Sequence, residues 1–144
     1  MTLSTLWVLV EPTEDSFTST SLELLSHART LSDNVAAITW GNGASFAGVA
    51  GDYGAKTLYD VGDLAGALPG VPVASAIQEL VTREGAPDAI LIPTSYDGRD
   101  VAGRLSARLD RPVLTNVTGL RDEGGLVTEH PVFGGSLTVN AKFT

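Results

Sequence analysis

Apolar positions follow two different periods along most of the chain. Runs of mostly apolar residues, which are typical of buried strands, occupy Leu6–Val10, Val35–Trp40 and Ala89–Ile92, and Lys56–Tyr59 is predicted as a short third strand. Apolar residues at helical spacing occupy the intervening segments Leu22–Leu31, Val73–Val81 and Val101–Leu109. This alternation predicts an α/β fold: a mostly parallel open sheet with helices on both of its faces.

The segments between and after these strands and helices give weaker signals. Ser19 or Thr20 is placed to cap the first helix, and Pro72 suits the first turn of the helix that follows the third strand. The glycine-containing segment Ala44–Tyr53 is only moderately helical, and Gly62–Gly70 reads as a loop. The sequence predicts a fifth strand at Pro112–Thr115.

The pattern changes after Asn116. A turn signal at Asp122–Gly125 separates two extended runs, Val117–Arg121 and Leu126–His130. The last run, Ser136–Phe143, alternates strictly between apolar and polar residues. We therefore predict an antiparallel extension whose strands have one solvent-exposed face, with a bulge or tight bend between strands at Phe133-Gly134-Gly135.

Composition narrows the possible functions. The 144 residues suffice for one domain with a real core, and the net charge of -8, from seventeen acids and nine bases, disfavours nucleic-acid binding. The absence of cysteine excludes disulfides, thiolate metal sites and cysteine nucleophiles, and it fits a reducing compartment. No apolar run approaches the ~18 residues of a membrane span, and the amino terminus lacks the basic region of a secretory signal. A cytoplasmic protein without membrane insertion is expected.

The chain ends at Thr144 within an alternating pattern, without a polar tail. Complete chains can end in this way, but the pattern also suggests a sequence cut from something longer.

The segment Thr94–Arg99 is the strongest candidate for a binding loop, because it joins a buried strand to an amphipathic helix. In a functional interpretation, Thr94, Ser95, Gly98 and Arg99 cradle a phosphate at the helix amino terminus. In a structural interpretation, which we favour, Ser95 or Asp97 caps the helix and Gly98 relaxes the backbone. The segment is neither a P-loop nor a dinucleotide fingerprint.

Other candidates are weaker. Gly41-Asn42-Gly43 reads as a plain turn, because Phe46 stands where a third fingerprint glycine would be. Three aspartates follow the candidate loop or lie in it, at Asp97, Asp100 and Asp110, but the last is near the far end of the helix, so no convergent metal site is expected. His27 and His130 are too far apart in sequence to suggest a metal pair or a triad. We predict no catalytic, cofactor-binding or metal-binding residue.

Several segments together resemble the amino-terminal domain of electron transfer flavoprotein alpha subunits. The segments are Leu6–Glu11, Ser21–Arg29, Gly54–Tyr59, Pro93–Asp100, Ala102–Leu109 and Phe133–Gly135. The Asp-Gly-Arg turn, the Ala-x-Arg-Leu-x-Ala-Arg-Leu helix register and the later Phe-Gly-Gly are specific in combination, and the resemblance spans nearly the whole chain.

The resemblance implies an adenine-nucleotide-hydrolase-like α/β domain that packs beside a similarly folded beta subunit. It implies a heterodimer with FAD that accepts electrons from flavoprotein dehydrogenases, such as acyl-CoA dehydrogenases of fatty acid β-oxidation, and passes them to a membrane oxidoreductase. By the same resemblance, residues 1–144 would be the amino-terminal domain of a longer subunit whose FAD-binding carboxyl-terminal domain is absent. The segment itself would be a scaffold and electron-carrier component, not an enzyme.

A second interpretation stays open, in which the chain is a free-standing small α/β nucleotide-binding protein that uses the Thr94–Arg99 loop. Hydrolysis of an adenylyl substrate is the third interpretation, because the spacing of residues in the sequence does not place a nucleophile next to a base. The arginine-bearing polar side of helix 101–109 could face a partner, although a solvated face is the simpler interpretation.

Overall fold

A computed structural model describes residues 3–144 and contains two separate sheets. The first has four parallel strands: β1 (Leu6–Leu9), β2 (Val35–Thr39), β3 (Thr57–Asp60) and β4 (Ala89–Leu91). Their spatial order is β3-β2-β1-β4, so the chain reverses its direction of travel across the sheet between β1 and β4. The predicted parallel sheet is confirmed.

Four helices cover this sheet: α1 (Ser19–Leu31), α2 (Ala47–Asp52), α3 (Gly70–Glu84) and α4 (Tyr96–Leu109). On one face, Leu25 and Ala28 of α1 and Ala50 of α2 pack against β1 and β2. On the other face, Ile77 of α3 and Val101 of α4 pack against Trp7 and neighbouring strand residues. Every residue of β1 and β2 is buried, which is why these strands read as unbroken apolar runs.

The second sheet is antiparallel and has the order β5-β6-β7, formed by β5 (Gly119–Asp122), β6 (Leu126–Val132) and β7 (Leu137–Lys142). A short 3-10 turn at Phe133–Gly135 joins the last two strands. Phe133, Gly134 and Gly135 all have positive φ angles, so this turn is the tight bend that the sequence predicts. Leu120 and Leu126 attach the sheet to the α1 side of the core.

The predicted fifth strand at Pro112–Thr115 is wrong, since the segment has no strand partner. Pro112 lacks an N–H group for a ladder, and Val113 is exposed rather than packed on a helix. Asn116 then adopts a left-handed φ of 54°, which turns the chain towards β5. Among residues 3–144, β4 therefore ends the parallel sheet on its side.

Two helix starts also differ from the prediction. The cap of α1 is Thr18, whose hydroxyl accepts a hydrogen bond from the Ser21 N–H, and not Ser19 or Thr20. Helix α4 begins at Tyr96, well before Val101, because its first turn is polar and leaves no apolar periodicity to read.

The expectation of one solvent-exposed face in the antiparallel sheet holds only near the parallel sheet and its four helices (β1–β4 and α1–α4), which we call the body. Along β7, both faces are largely exposed, including the apolar residues Leu137 and Val139. The alternation predicts the strand correctly, but residues 3–144 provide nothing that covers the apolar side at this end. No helix among these residues combines the length and apolar character needed to cross a bilayer.

Candidate functional site at the carboxyl edge of the parallel sheet

The reversal between β1 and β4 places two connecting segments side by side at the carboxyl edge of the sheet. Glu11 follows β1, and Ile92–Ser95 connects β4 to α4, whose first turn contains the rest of the candidate segment. In open α/β sheets, this is the position where ligands usually bind. The position of the candidate loop therefore agrees with a binding role, and its contacts decide whether the loop is free to perform one.

Ser95 is bonded on both sides. Its hydroxyl accepts a hydrogen bond from the Gly98 N–H at 2.9 Å, which caps α4, and donates one to the Glu11 carboxylate at 2.7 Å. Glu11 is itself buried, and its backbone N–H donates to the hydroxyl of Ser21 on α1 at 2.9 Å. This Glu11–Ser95 contact ties the ends of β1 and β4 together. Capping by Ser95, one of the two predicted caps, is confirmed.

The Glu11 carboxylate lies where an anionic ligand would seek the positive end of α4. A phosphate placed there would meet this buried negative charge, and the Gly98 N–H is already bonded to Ser95. The Ser95 cap of α4 is thus itself held by a carboxylate of the same chain. Sequence reasoning overlooked this role, although a glutamate directly after a buried strand was a visible signal.

Gly98 has a steric role that differs from the predicted one. Its backbone is helical, so no unusual conformation requires glycine. A Cβ atom at this position would overlap the carbonyl oxygen of Pro93. Glycine therefore lets the start of α4 pack directly onto the chain that leaves β4.

Three of the remaining residues of Thr94–Arg99 are exposed to solvent, and Asp97 is half-buried. Thr94 and Arg99 are exposed, and the Tyr96 side chain is 91% exposed. On the outer side of α4, Arg104 pairs with Asp100 at 2.8 Å, and Arg108 donates to Gln78 of α3 at 3.1 Å. The arginines of α4 all lie on exposed positions, in agreement with a solvated polar side.

The other candidates have structural partners. Gly41-Asn42-Gly43 is a turn, as predicted, in which the Asn42 side chain donates to the Thr13 carbonyl at 2.8 Å. Gly43 packs so closely on Thr39 that a Cβ atom would overlap its hydroxyl. The turn thus joins the ends of β1 and β2.

The three aspartates do not converge. Asp97 is in the first turn of α4, Asp100 pairs with Arg104, and Asp110 is the left-handed residue that ends the helix. Within the described part of the chain, no cluster of three or more His, Asp or Glu side chains is suited to hold a metal.

The two histidines connect backbone segments. His27 Nε2 lies 2.8 Å from the Leu120 carbonyl oxygen and links α1 to β5. His130 Nδ1 lies 2.8 Å from the Thr115 carbonyl oxygen, and its Nε2 lies 2.6 Å from the Thr128 hydroxyl. Both rings fix the antiparallel sheet and its approach segment in place.

Two open depressions lie beside α1. One, of about 470 Å³, is lined by Ser19, Leu22, Glu23, Ser26, His27 and Tyr53. The other, of about 640 Å³, lies between α1 and the β5–β6 turn. Neither is lined by a residue of the Thr94–Arg99 loop, so the carboxyl-edge candidate is not part of either depression.

The family model and the curated relatives that match this chain point to the same family. The model of the electron transfer flavoprotein domain matches residues 6–144. This chain belongs to the electron transfer flavoprotein family. Its fold, with a parallel sheet between helices, is the one that the sequence resemblance implies.

The relatives found within the electron transfer flavoprotein family are alpha subunits. "Electron transfer flavoprotein subunit alpha" of Mycobacterium leprae is 36% identical over 141 residues, which cover 94% of this chain and 42% of the relative. The protein of the same name from Thermoanaerobacterium thermosaccharolyticum is 32% identical over 145 residues, which cover 95% of this chain and 44% of the relative. The chain therefore spans less than half the length of these relatives.

Membership of the electron transfer flavoprotein family implies a flavin cofactor. The residues at the carboxyl edge of the parallel sheet do not fit a flavin. A dinucleotide pyrophosphate needs free backbone N–H groups at a helix amino terminus. At α4 the cap of Ser95 engages Gly98, and the Glu11 carboxylate repels a second anion. We therefore assign no flavin contact to these residues.

Proposed function

We propose that residues 1–144 form the amino-terminal scaffold and subunit-docking domain of an electron transfer flavoprotein alpha subunit. The family match over residues 6–144, with alpha subunits more than twice as long as this chain, is the observation that carries the proposal. In this role the segment is part of an electron carrier and performs no catalysis of its own.

The packing of the body supports a scaffold. Buried side chains fill both faces of the sheet, and the Glu11–Ser95 contact closes the place where this fold usually takes a ligand. A rigid body of this kind presents fixed surfaces to a partner. FAD is then held by a carboxyl-terminal domain together with a beta subunit, outside the described residues.

In the complete heterodimer, the proposed activity is electron shuttling. The flavin accepts electrons from flavoprotein dehydrogenases, such as acyl-CoA dehydrogenases, and passes them to a membrane oxidoreductase in an electron-transport chain. The proposed location is cytoplasmic. The contribution of this chain is to hold the beta subunit in a fixed orientation to the flavin-bearing part.

Co-expression with the beta subunit from the same source tests this function. We expect the 144-residue chain to co-elute with the beta subunit in size-exclusion chromatography. We also expect stoichiometric flavin absorbance only when a full-length alpha subunit replaces the chain. Failure of the full-length subunit to bind either the beta subunit or flavin would refute the proposal, as would stoichiometric FAD binding by the chain alone.

Titration with ATP and AMP tests the alternative of a free-standing nucleotide-binding protein. Because the Ser95 hydroxyl accepts from the Gly98 N–H and donates to the Glu11 carboxylate, we expect no saturable binding at millimolar nucleotide. Saturable binding that Arg99→Ala abolishes would support the alternative instead.

A further inference from the structure

The turn Gly41-Asn42-Gly43 contains a chemically labile pair of residues. Asn42 is the one asparagine of the four in the chain that precedes a glycine, since the other three precede valine or alanine. The backbone nitrogen that follows an asparagine can attack the carbon of the side-chain amide, and glycine permits this approach because it has no Cβ atom. Asn42 and Gly43 are therefore the pair in this chain most prone to lose a side-chain amide.

The contacts of the turn explain why this pair is present. The Asn42 side chain donates a hydrogen bond to the Thr13 carbonyl oxygen at 2.8 Å and so ties the connection after β2 to the connection after β1. A carbonyl oxygen only accepts, so this contact needs the NH₂ group of the amide. At position 43, the Thr39 hydroxyl occupies the place of a Cβ atom, so the packing requires glycine.

The closed turn holds the pair in an unreactive arrangement. Ring closure requires the Gly43 nitrogen to lie beside the Asn42 Cβ atom, whereas the observed ψ of 2° at Asn42 eclipses it with the Asn42 backbone nitrogen instead. The Gly43 N–H also donates to the Trp40 carbonyl at 3.0 Å. Both reacting groups are thus held apart by their hydrogen bonds, and the reaction requires the turn to open.

Opening of this turn is a local event. Asn42 is exposed, and the helical segments that follow it, Gly43–Phe46 and α2, are short. Exposed turns that are held by few hydrogen bonds open at low free-energy cost without unfolding the core. The buried strands β1 and β2 therefore stay folded while the pair reacts.

We propose that Asn42–Gly43 is a deamidation site of the folded chain and that it reacts when this turn opens. The Gly43 nitrogen, after losing its proton to hydroxide, bonds to Asn42 Cγ, and the side-chain nitrogen leaves as ammonia with a proton from water. Water then opens the resulting succinimide at one of its two carbonyl carbons. The product at position 42 is aspartate or isoaspartate, and the net reaction consumes one water and releases one ammonia.

The product cannot restore the contact of the turn. A carboxylate offers only acceptors to the Thr13 carbonyl oxygen, and Glu14 and Asp15, which follow Thr13 directly, are exposed acids. Isoaspartate also adds a methylene group to the main chain beside the close Gly43–Thr39 contact. Deamidation therefore loosens the link between the ends of β1 and β2, and no step of the reaction reverses it.

Peptide mapping of the folded chain after incubation in mildly alkaline heavy-oxygen water tests the site. Trypsin releases residues 30–56 as one peptide, which contains both Asn42 and Asn34, so Asn34 is an internal reference. We expect heavy oxygen at position 42, in aspartate and isoaspartate, and none at position 34. The urea-unfolded chain should convert Asn42 at least about tenfold faster, because its reaction no longer waits for the turn to open.

Matched variants test the structural consequence. Asn42→Asp reproduces one product without the reaction, and we expect faster hydrogen exchange at the Gly41 and Gly43 amides with unchanged exchange in β1. The control Asn140→Asp makes the same change at an exposed position of β7 and should leave the turn unaffected. Asn42→Gln lengthens the side chain, disfavours the five-membered ring and should abolish the conversion; circular dichroism verifies that the variants fold.

An Asn42 that converts in the unfolded chain but never in the folded chain would overturn the proposal. Equal conversion rates in the folded and unfolded chains would overturn the role of the turn, and unchanged exchange at Gly41 and Gly43 in Asn42→Asp would overturn the loosening. The inference goes beyond the proposed scaffold role. None of these measurements involves flavin or a beta subunit, so its failure is distinguishable from failure of the proposed function.

Discussion

The body and the hairpin of β6, the Phe133–Gly135 turn and β7, which we call the arm, both contain strands that the pattern of apolar residues predicts, but they differ in what covers those strands. In the body, β1 and β2 are buried on both faces between helix pairs. In the arm, β7 is exposed along almost its whole length. The difference shows that an apolar run predicts a strand, whereas the neighbouring elements decide whether the strand belongs to a core or to a surface.

The largest expected effect on stability is at Leu9, a buried residue of the body. Leu9→Ala removes a side chain that is 0% exposed and leaves a cavity between β1 and the α3–α4 layer, so we expect a loss of about 2–5 kcal/mol in unfolding free energy. Urea denaturation followed by circular dichroism measures it.

The matched control is Leu137→Ala in the arm, where the side chain is 57% exposed. We expect a change within about 0.5 kcal/mol, as for most surface substitutions. Equal losses at the two positions would mean that the arm is packed like the body, contrary to the comparison.

A second pair of substitutions tests the close contact at the start of α4. Gly98→Ala forces a methyl group against the Pro93 carbonyl oxygen, and overpacking of this kind costs about 1–3 kcal/mol. Gly103→Ala in the same helix meets nothing within 4 Å and should stabilise by about 0.5–1 kcal/mol, because alanine favours helix. Thermal and urea unfolding should give opposite signs for the two variants; the same sign would refute the packing argument.

The Glu11–Ser95 contact predicts a moderate effect. Ser95→Ala removes the cap of α4 and the hydroxyl that Glu11 accepts from, so we expect a loss of about 1–2 kcal/mol in unfolding free energy. Ser95→Thr keeps the hydroxyl and should retain most of the stability. If the two variants were equally stable, the hydroxyl would have no structural role and the loop would be open to a ligand function.

The smallest effect on stability is expected at the hydrogen bond that links α1 to β5. His27→Ala removes the hydrogen bond to the Leu120 carbonyl, which is worth about 0.5–1 kcal/mol at this exposed position. Hydrogen exchange should accelerate in β5 and stay unchanged in β1. The control Ser26→Ala changes the adjacent residue of α1 and should leave exchange in β5 unaffected. Slower or unchanged exchange in β5 of His27→Ala would show that apolar packing alone attaches the antiparallel sheet to α1.

The candidate site shows how far local sequence signals reach. The sequence predicts the strand and the helix on either side of Thr94–Arg99, although the helix begins at Tyr96 and not at Val101, and Ser95 as a cap is predictable because capping residues act within one turn. The carboxylate that meets Ser95 comes from a residue 84 positions earlier in the sequence. Spacing cannot reveal such a pair, because it depends on β1 and β4 becoming neighbours.

The sequence by itself determined the order of strands and helices, the parallel sheet with two covered faces and the antiparallel extension, since these follow from hydrophobic period and turn chemistry. Its motifs also identified the family. Only the tertiary structure decided that Pro112–Thr115 has no partner strand, that Glu11 bonds to the Ser95 cap of α4, and that the apolar side of β7 is exposed. Each of these depends on which distant segment lies next to a residue, and periodicity along one chain carries no information about that neighbour.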